Sequence, residues 1–533
     1  MRKLFFLGFA TLFTFVGIAA YFQPWALTTL LILVPLFGIG LQNILQKKKA
    51  ILRNFPLLGL FRYFFEEIRP EIQQYFVEND TNGTPIARET RSVVYQRAKQ
   101  QTDTLPFGTQ RDVYETGYEW LGHSLSPQKI NAHLLRVLIG GVQCKKPYSA
   151  SILNISAMSY GALSMNAIQA LNGGAQLGGF FHNTGEGGVS SHHLSGNGDL
   201  VWQVGTGYFG CRDSAGNFSP EKFQQMAIHE NIKMIEIKLS QGAKPAHGGI
   251  LPAAKITPEI VAIRNVEPGK DVISPPAHKT FSTPIGLLEF VKQLRDLSGG
   301  KPVGFKLCLG QLSEFVAICK AMLQTNILPD FITVDGGEGG TGAAPLEFSN
   351  HVGMPLEEGL TFIHDTLTGF DLRKHIKIIA SGKVMTGFQI FAKLALGADL
   401  CNSARGMLLA LGCIQARKCN SNHCPTGIAT SNEELMYGLV PSDKKFRVYN
   451  YHKHTVESFA ELLGARGHVK ASDIQRDDVN RRVSKISVQT YADLFPEIEA
   501  GEFFRDVPER FRKSVAQASA EHFSAMRTSR RAA

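Results

Sequence analysis

Phe331-Ile-Thr-Val334 runs straight into Asp335-Gly-Gly-Glu-Gly-Gly-Thr-Gly-Ala343. Four apolar or β-branched residues followed by a glycine-rich turn read as a buried strand that ends at a loop. The same unit recurs on both sides. Ser151–Ala157, Gly179–Asn183, Met234–Leu239, Asp271–Ile273, Val303–Leu307, Ile376–Ala380 and Asp399–Cys401 are further candidate strands, and most lead into a helical pattern. Eight strand–helix alternations in about 280 residues is the arithmetic of an α/β chain of the (β/α)8 TIM-barrel type. A doubly wound sheet would alternate similarly, but function-like residues after every strand favour the barrel. In such a barrel the site lies at the C-terminal ends of the strands. The barrel is expected over residues 149–430.

The flanks differ in character. Leu4 to Phe22 and Trp25 to Leu41 carry no charge, and each is close to the length that crosses a bilayer as a helix. Arg2 and Lys3 precede the first run, and Lys47, Lys48 and Lys49 follow the second. That pattern predicts a transmembrane helical hairpin over 1–45 in the inner or cytoplasmic membrane, with both ends and the catalytic domain in the cytoplasm. A signal peptide is the competing reading of the first run. Residues 46–148 are expected to be a helical extension. Its aromatic start, from Phe55 to Phe65, reads equally as a segment at the head-group level or as a first packed helix. Residues 431–533 read as a helical, charged tail.

Hydrophobic residues at 44% and charged residues at 19% describe a folded chain rather than a disordered one. The formal charge of +10 suits anionic ligands or lipid head groups. No zinc-finger pattern or basic–aromatic RNA-binding signature accompanies it, so nucleic acid is not an expected partner. The eight cysteines are too sparse in a chain of 533 residues to be a disulfide framework. Three of them, Cys413, Cys419 and Cys424, fall within Cys-Ile-Gln-Ala-Arg-Lys-Cys-Asn-Ser-Asn-His-Cys-Pro. Thiolates grouped in this way suit one soft metal centre, and proline after the last cysteine recurs in iron–sulfur loops. An iron–sulfur cluster, a zinc ion completed by His423 and unligated thiols all remain open on spacing alone.

Glycine-rich or short polar turns follow the late strands: Asp335-Gly336-Gly337, Ser381-Gly382-Lys383 and Ala404-Arg405-Gly406. Backbone amides at such turns, backed by a lysine and an arginine, make the phosphate cradle common in these barrels. Earlier in the chain stand Ser156-Ala-Met158-Ser159-Tyr-Gly-Ala-Leu-Ser164, Asn183-Thr-Gly-Glu186-Gly-Gly188 and Glu236-Ile-Lys238-Leu-Ser-Gln241-Gly-Ala-Lys244-Pro245, with Arg264 downstream. Together with the cysteine loop, these segments resemble the FMN-binding synthase domain of the glutamate synthase large subunit over about residues 150–430. The overall layout is similar to shorter bacterial members that carry an N-terminal membrane segment.

The resemblance implies FMN and a 3Fe–4S cluster as cofactors. It sets Met158, Ser159 and Lys306 against the flavin, with Gly336, Gly337, Ser381, Gly382, Lys383, Arg405 and Gly406 around the rest of the cofactor. It assigns Cys413, Cys419 and Cys424 to the cluster, and Lys244 and Arg264 to the carboxylates of 2-oxoglutarate. Lys238, Glu186 and Gln241 become the candidate catalytic residues. The expected activity is reduction of a 2-oxoglutarate-derived imine to L-glutamate. Ammonia would come from solution or another subunit, and electrons from a ferredoxin-like donor. No separate NAD(P)H-binding domain is expected.

Several positions depart from the family. Tyr208 replaces an arginine, Ile285 an acidic residue, and Ser381 and Arg405 an aspartate and a threonine near the phosphate. The glutaminase domain and its nucleophilic cysteine are expected to be missing. Two rivals follow: a flavoenzyme that oxidises another acid and passes electrons to a membrane quinone, and a membrane-tethered electron-transfer subunit.

Overall fold

The computed structural model describes residues 1–101 and 103–524. They form two compact units divided between Thr84 and Pro85.

The first unit contains the two apolar helices, Arg2–Phe22 and Leu30–Leu45, joined by the 3-10 turn Pro24–Thr29. By length and composition Arg2–Phe22 and Pro24–Leu45 suffice to cross a membrane. They pack against each other through Phe5 and Phe37, whose rings stack 5.6 Å apart. Leu4, Leu7, Phe15, Leu31 and Ile32 remain exposed on the outer faces. The aromatic stretch that follows is helical over Leu58–Glu67 and leaves Phe61, Phe64 and Phe65 exposed.

The second unit is built on a closed barrel of eight parallel strands. In chain order they are β1 (Leu153–Ile155), β2 (His182–Asn183), β3 (Leu200–Val204), β4 (Ile232–Lys238), β5 (Val303–Leu307), β6 (Phe331–Asp335), β7 (Lys377–Ser381) and β8 (Leu400–Ser403). Pairing follows chain order, and β8 closes onto β1. The α/β barrel expected from the sequence is therefore present, with one substitution among its staves. Val272–Ile273 pairs antiparallel with Ile250–Leu251 outside the barrel, and Ile273 is exposed. The missing stave is Leu200-Val-Trp-Gln-Val204, every residue of which is buried. Gln203 breaks its apolar run because that side chain points into the barrel, where it donates to Glu236 at 2.6 Å. Asn183 and Thr333 donate to the same carboxylate at 2.8 and 2.6 Å. A buried carboxylate is stable here because three neutral donors satisfy it.

The tail is not wholly helical. After the helix Pro441–Arg466, Val479–Ser484 and Ser487–Thr490 form a hairpin that pairs with Glu119–Leu121. Arg481 pairs with Glu119 within this sheet and with Glu357 on the helix Leu356–Gly369 outside it, and buried Arg476 grips Asp365. The final stretch of the expected tail, 525–533, lies outside the described residues. The segment before the barrel likewise adds strands to its helices: Arg136–Ile139 pairs antiparallel with Tyr148–Ser151.

Asp330, just before β6, joins several elements. Its carboxylate meets Arg295 at 3.0 Å and accepts the amides of Val303 and Gly141, each at 2.8 Å. Asp330→Ala would leave Arg295 buried and unpaired, at a cost of about 3–5 kcal/mol. Thermal or denaturant unfolding checks this. Burial also holds the imidazoles of His182 and His452 down to about 3. Both stay neutral in the fold but take protons in the unfolded chain below about pH 6.5. Their contribution to stability is therefore complete above that pH and is lost as pH falls towards 3. A pH series of melting temperatures should fall across that window, with less slope for His452→Gln.

Candidate active site

The loops at the C-terminal ends of the strands converge on one another backbone to backbone. After β2, the turn 184–188 lies on the segment 158–160. A Cβ at Gly185, where φ is +65°, would come within 2.6 Å of the Ser159 amide nitrogen. The turn is held in shape by Asn183, whose side-chain oxygen accepts the Gly185 amide at 3.0 Å. The loop after β4 lies equally close to the loop after β6: a Cβ at Gly242 would sit 1.8 Å from the Gly336 carbonyl oxygen. The Gly242 amide donates to Asp335 at 2.7 Å. Only glycine permits such contacts.

This packing gathers four of the charged residues singled out from the sequence. Lys238, which ends β4, donates from Nζ to Glu186 Oε1 at 2.7 Å. Burial opposes the Glu186 charge, but Lys238, then Lys244 and Arg264, more than offset it and hold its carboxyl below the ordinary range. Lys244 is buried, and its pKa is lowered first by desolvation and then by the Lys238 charge, with Glu186 acting in the other direction. Arg264 is 5% exposed, and burial pulls its guanidinium down to about 10. It donates to the Tyr160 carbonyl at 2.7 Å and lies 5.0 Å from the centre of the Phe209 ring, while its Nε has no partner. Three cations thus surround one carboxylate. Lys306, opposite Lys238 in the sheet register, adds nothing to that surplus because Asp335 faces it at 3.4 Å. Gln241 stands half-buried on the turn between Lys238 and Lys244.

The expected phosphate residues divide into two groups. The Gly336 and Gly337 amides are committed to the carbonyls of Ser381 and Met354, at 2.9 and 2.7 Å. They permit close approach but offer no donor. The amides of Gly382 and Lys383 have no backbone acceptor among the described residues. Asn402, on β8 beside Ser381, keeps a buried side-chain oxygen without a partner. Unspent donors and a polar atom at the barrel mouth fit a heterocycle with a phosphate tail such as FMN. Met158 and Ser159 lie on the segment beneath the 184–188 turn. Arg405 and Gly406 open a short helix, and the Arg405 side chain reaches away to the Thr341 carbonyl and to Cys419.

The cysteine loop is tightly wound, with Gln415, Arg417 and Asn422 at positive φ. Among the described residues no three histidine, cysteine or acidic side chains converge closely enough to hold a metal ion. The three thiols nevertheless share one neighbourhood. Burial raises the Cys413 pKa, and charge on Cys419 and Cys424 adds to the rise. Cys424 is also buried, but hydrogen bonds from Thr426, Ala429 and Ile428 outweigh that and lower its pKa. As a donor set, three soft thiols suit an iron–sulfur cluster, and backbone hydrogen bonds at Cys413 and Cys424 suit bound thiolates.

Two features of this region escaped the sequence reading. Lys255 is buried beside Cys419 and Cys424, with Nζ donating to the Ala162 carbonyl at 3.0 Å. A lysine in an ordinary 3-10 turn gave no signal. Tyr208, noted only as a departure, is a hub. Its phenol oxygen receives the amides of Lys279 and Thr280 at 3.0 and 3.2 Å and meets His278 at 3.1 Å. His278 in turn bonds the Lys238 carbonyl at 2.9 Å.

Residues 124–469 match the family model described as a conserved region in glutamate synthase. The chain is 38% identical, over 79% of its length, to the glutamate synthase large subunit-like protein YerD of Bacillus subtilis, and covers 88% of that protein. It is 36% identical to the archaeal glutamate synthase (NADPH) of Methanocaldococcus jannaschii over 59% of its length, covering 58% of that enzyme. With the ferredoxin-dependent glutamate synthase of Antithamnion it shares 28% identity over 79% of its length, but covers only 27% of that much longer chain. With the barrel, the charged pocket and the cysteine loop all inside the matched region, the chain belongs to the glutamate synthase family.

Proposed function

We propose that this chain is a glutamate synthase-type oxidoreductase that reduces the imine of 2-oxoglutarate to L-glutamate, acting at the carbon that becomes the CH–NH2 group. One observation carries the substrate: Lys238, Lys244 and Arg264 are buried around a single carboxylate, Glu186. The surplus of two positive charges is the complement of a dicarboxylate, and uncompensated buried charge is costly until such a ligand arrives.

The assigned roles follow from position. Arg264, pinned by Tyr160 and stacked on Phe209, presents a preset fork to one carboxylate. Lys244, whose charge is weakened by burial, is strengthened by the second. Lys238 and Glu186 share a short ion pair in which a proton can move toward the reacting nitrogen or oxygen. Gln241 orients that group. FMN, when bound, supplies the hydride that completes the two-electron reduction of the imine carbon. It would be held by the segment at Met158 and Ser159, by Lys306, and by Ser381, Gly382 and Lys383, with Gly336 and Gly337 allowing close approach. Cys413, Cys419 and Cys424 would carry a 3Fe–4S cluster that receives electrons from a ferredoxin-like donor. Relatives named for NADPH and for ferredoxin are consistent with either source. Ammonia enters from solution or from a partner.

The apolar hairpin supports membrane anchoring with the barrel on the cytoplasmic side, because positive residues flank its two apolar runs on the outer sides and none lies between them. It also sustains the second reading, in which the flavin oxidises another acid and electrons leave to a membrane quinone.

Calorimetric titration of the flavin-loaded protein separates these readings. The dicarboxylate 2-oxoglutarate should bind far more tightly than the monocarboxylate pyruvate. Lys244→Met should weaken 2-oxoglutarate about 10–100-fold, the worth of one charge-assisted hydrogen bond, and barely affect pyruvate. Equal affinity for the two acids would remove the substrate assignment.

A further inference from the structure

The family resemblance leads one to expect Arg405 near the flavin phosphate, yet its side chain is strung between two loops. Nη2 donates to the carbonyl of Thr341, in the glycine-rich loop after β6, and Nη1 lies 3.8 Å from Cys419 Sγ. The guanidinium also fills the space beside Gly340, where an added Cβ would come within 2.8 Å of Nε. Lys255 repeats the arrangement on the other side. Its ammonium is buried, donates to Ala162 in the segment that follows β1, and carries its charge next to Cys419 and Cys424. Each cation therefore ties one segment of the candidate flavin site to the thiol loop. Neither has a carboxylate partner among the described residues.

Three thiolates are a strongly negative ligand set, and reduction of any centre they hold adds further negative charge. Nearby positive charge and hydrogen bonds to sulfur favour the reduced form and raise the potential. We propose that Arg405 and Lys255 are positioning residues for the thiol centre, fixing Cys419 and Cys424 against the flavin site and raising the reduction potential of the cluster they hold. This rests on the cluster reading given above. It assigns Arg405 to the cluster rather than to the flavin phosphate.

The test is an EPR-monitored redox titration of anaerobically purified, full-length protein, with iron content and the midpoint of the bound flavin recorded on the same samples. Arg405→Met and Lys255→Met should each lower the cluster midpoint, Arg405→Lys should recover most of the loss, and the flavin midpoint should move less. A folded R405M protein that has lost iron, with iron regained in R405K, also supports the positioning role. If R405M does not fold, R405K and K255M carry the measurement. Variants that retain iron and the wild-type cluster midpoint would overturn the proposal. So would a shift confined to the flavin, which would return Arg405 to the phosphate. Wild-type protein without iron would instead remove the cluster reading on which the proposal stands.

Discussion

Lys238, Lys244 and Arg264 are buried together beside Glu186, and the arrangement around them follows from the need to keep that charge in place. A cation withdrawn from water is tolerated only when fixed partners face it. Glu186 satisfies Lys238 directly, Tyr160 and Phe209 hold Arg264, and Lys306 is answered separately by Asp335. What remains around Glu186 is a net positive charge, at the end of a barrel where loops from several strands meet. On the proposed reading, that surplus is what a dicarboxylate ligand would neutralise.

The barrel makes this geometry by close backbone approach. Gly185 lets the turn after β2 lie on the segment after β1, and Gly242 lets the loop after β4 lie on that after β6. In the interior below, the Glu236 carboxylate takes donors from β2, β3 and β6, tying three strands at one level. Asn183 belongs to both layers, since it donates to Glu236 and accepts the Gly185 amide. Tyr208 and His278 brace the same strand from outside the pocket, through the Lys238 carbonyl. Position in the pocket is thus inherited from hydrogen bonds inside the barrel.

Much of this was legible in the sequence, for identifiable reasons. Strands such as Val303–Leu307 and Phe331–Asp335 are mostly apolar or β-branched with a charge at or next to the last position, so their ends and their functional residues were plain. Leu200–Val204 was not, because Trp202 and Gln203 disguise a stave whose inward side chain is polar. Val272–Ile273 looked like a stave although its partner is a local ribbon. The grouping of Lys238, Glu186, Lys244 and Arg264 followed from strand ends and matching motifs. The direction of a long side chain did not: Arg405 turns toward sulfur, and buried Lys255 arrives from a turn with no distinctive pattern. Those facts depend on packing between loops far apart in the chain.

The most direct measurement is single turnover under anaerobic conditions. Reduced, flavin-loaded protein is mixed with 2-oxoglutarate and ammonium while flavin absorbance and glutamate are followed together. The account predicts flavin reoxidation with one glutamate formed per flavin, and none when either substrate is omitted. A flavin that stays reduced in the presence of both would contradict it.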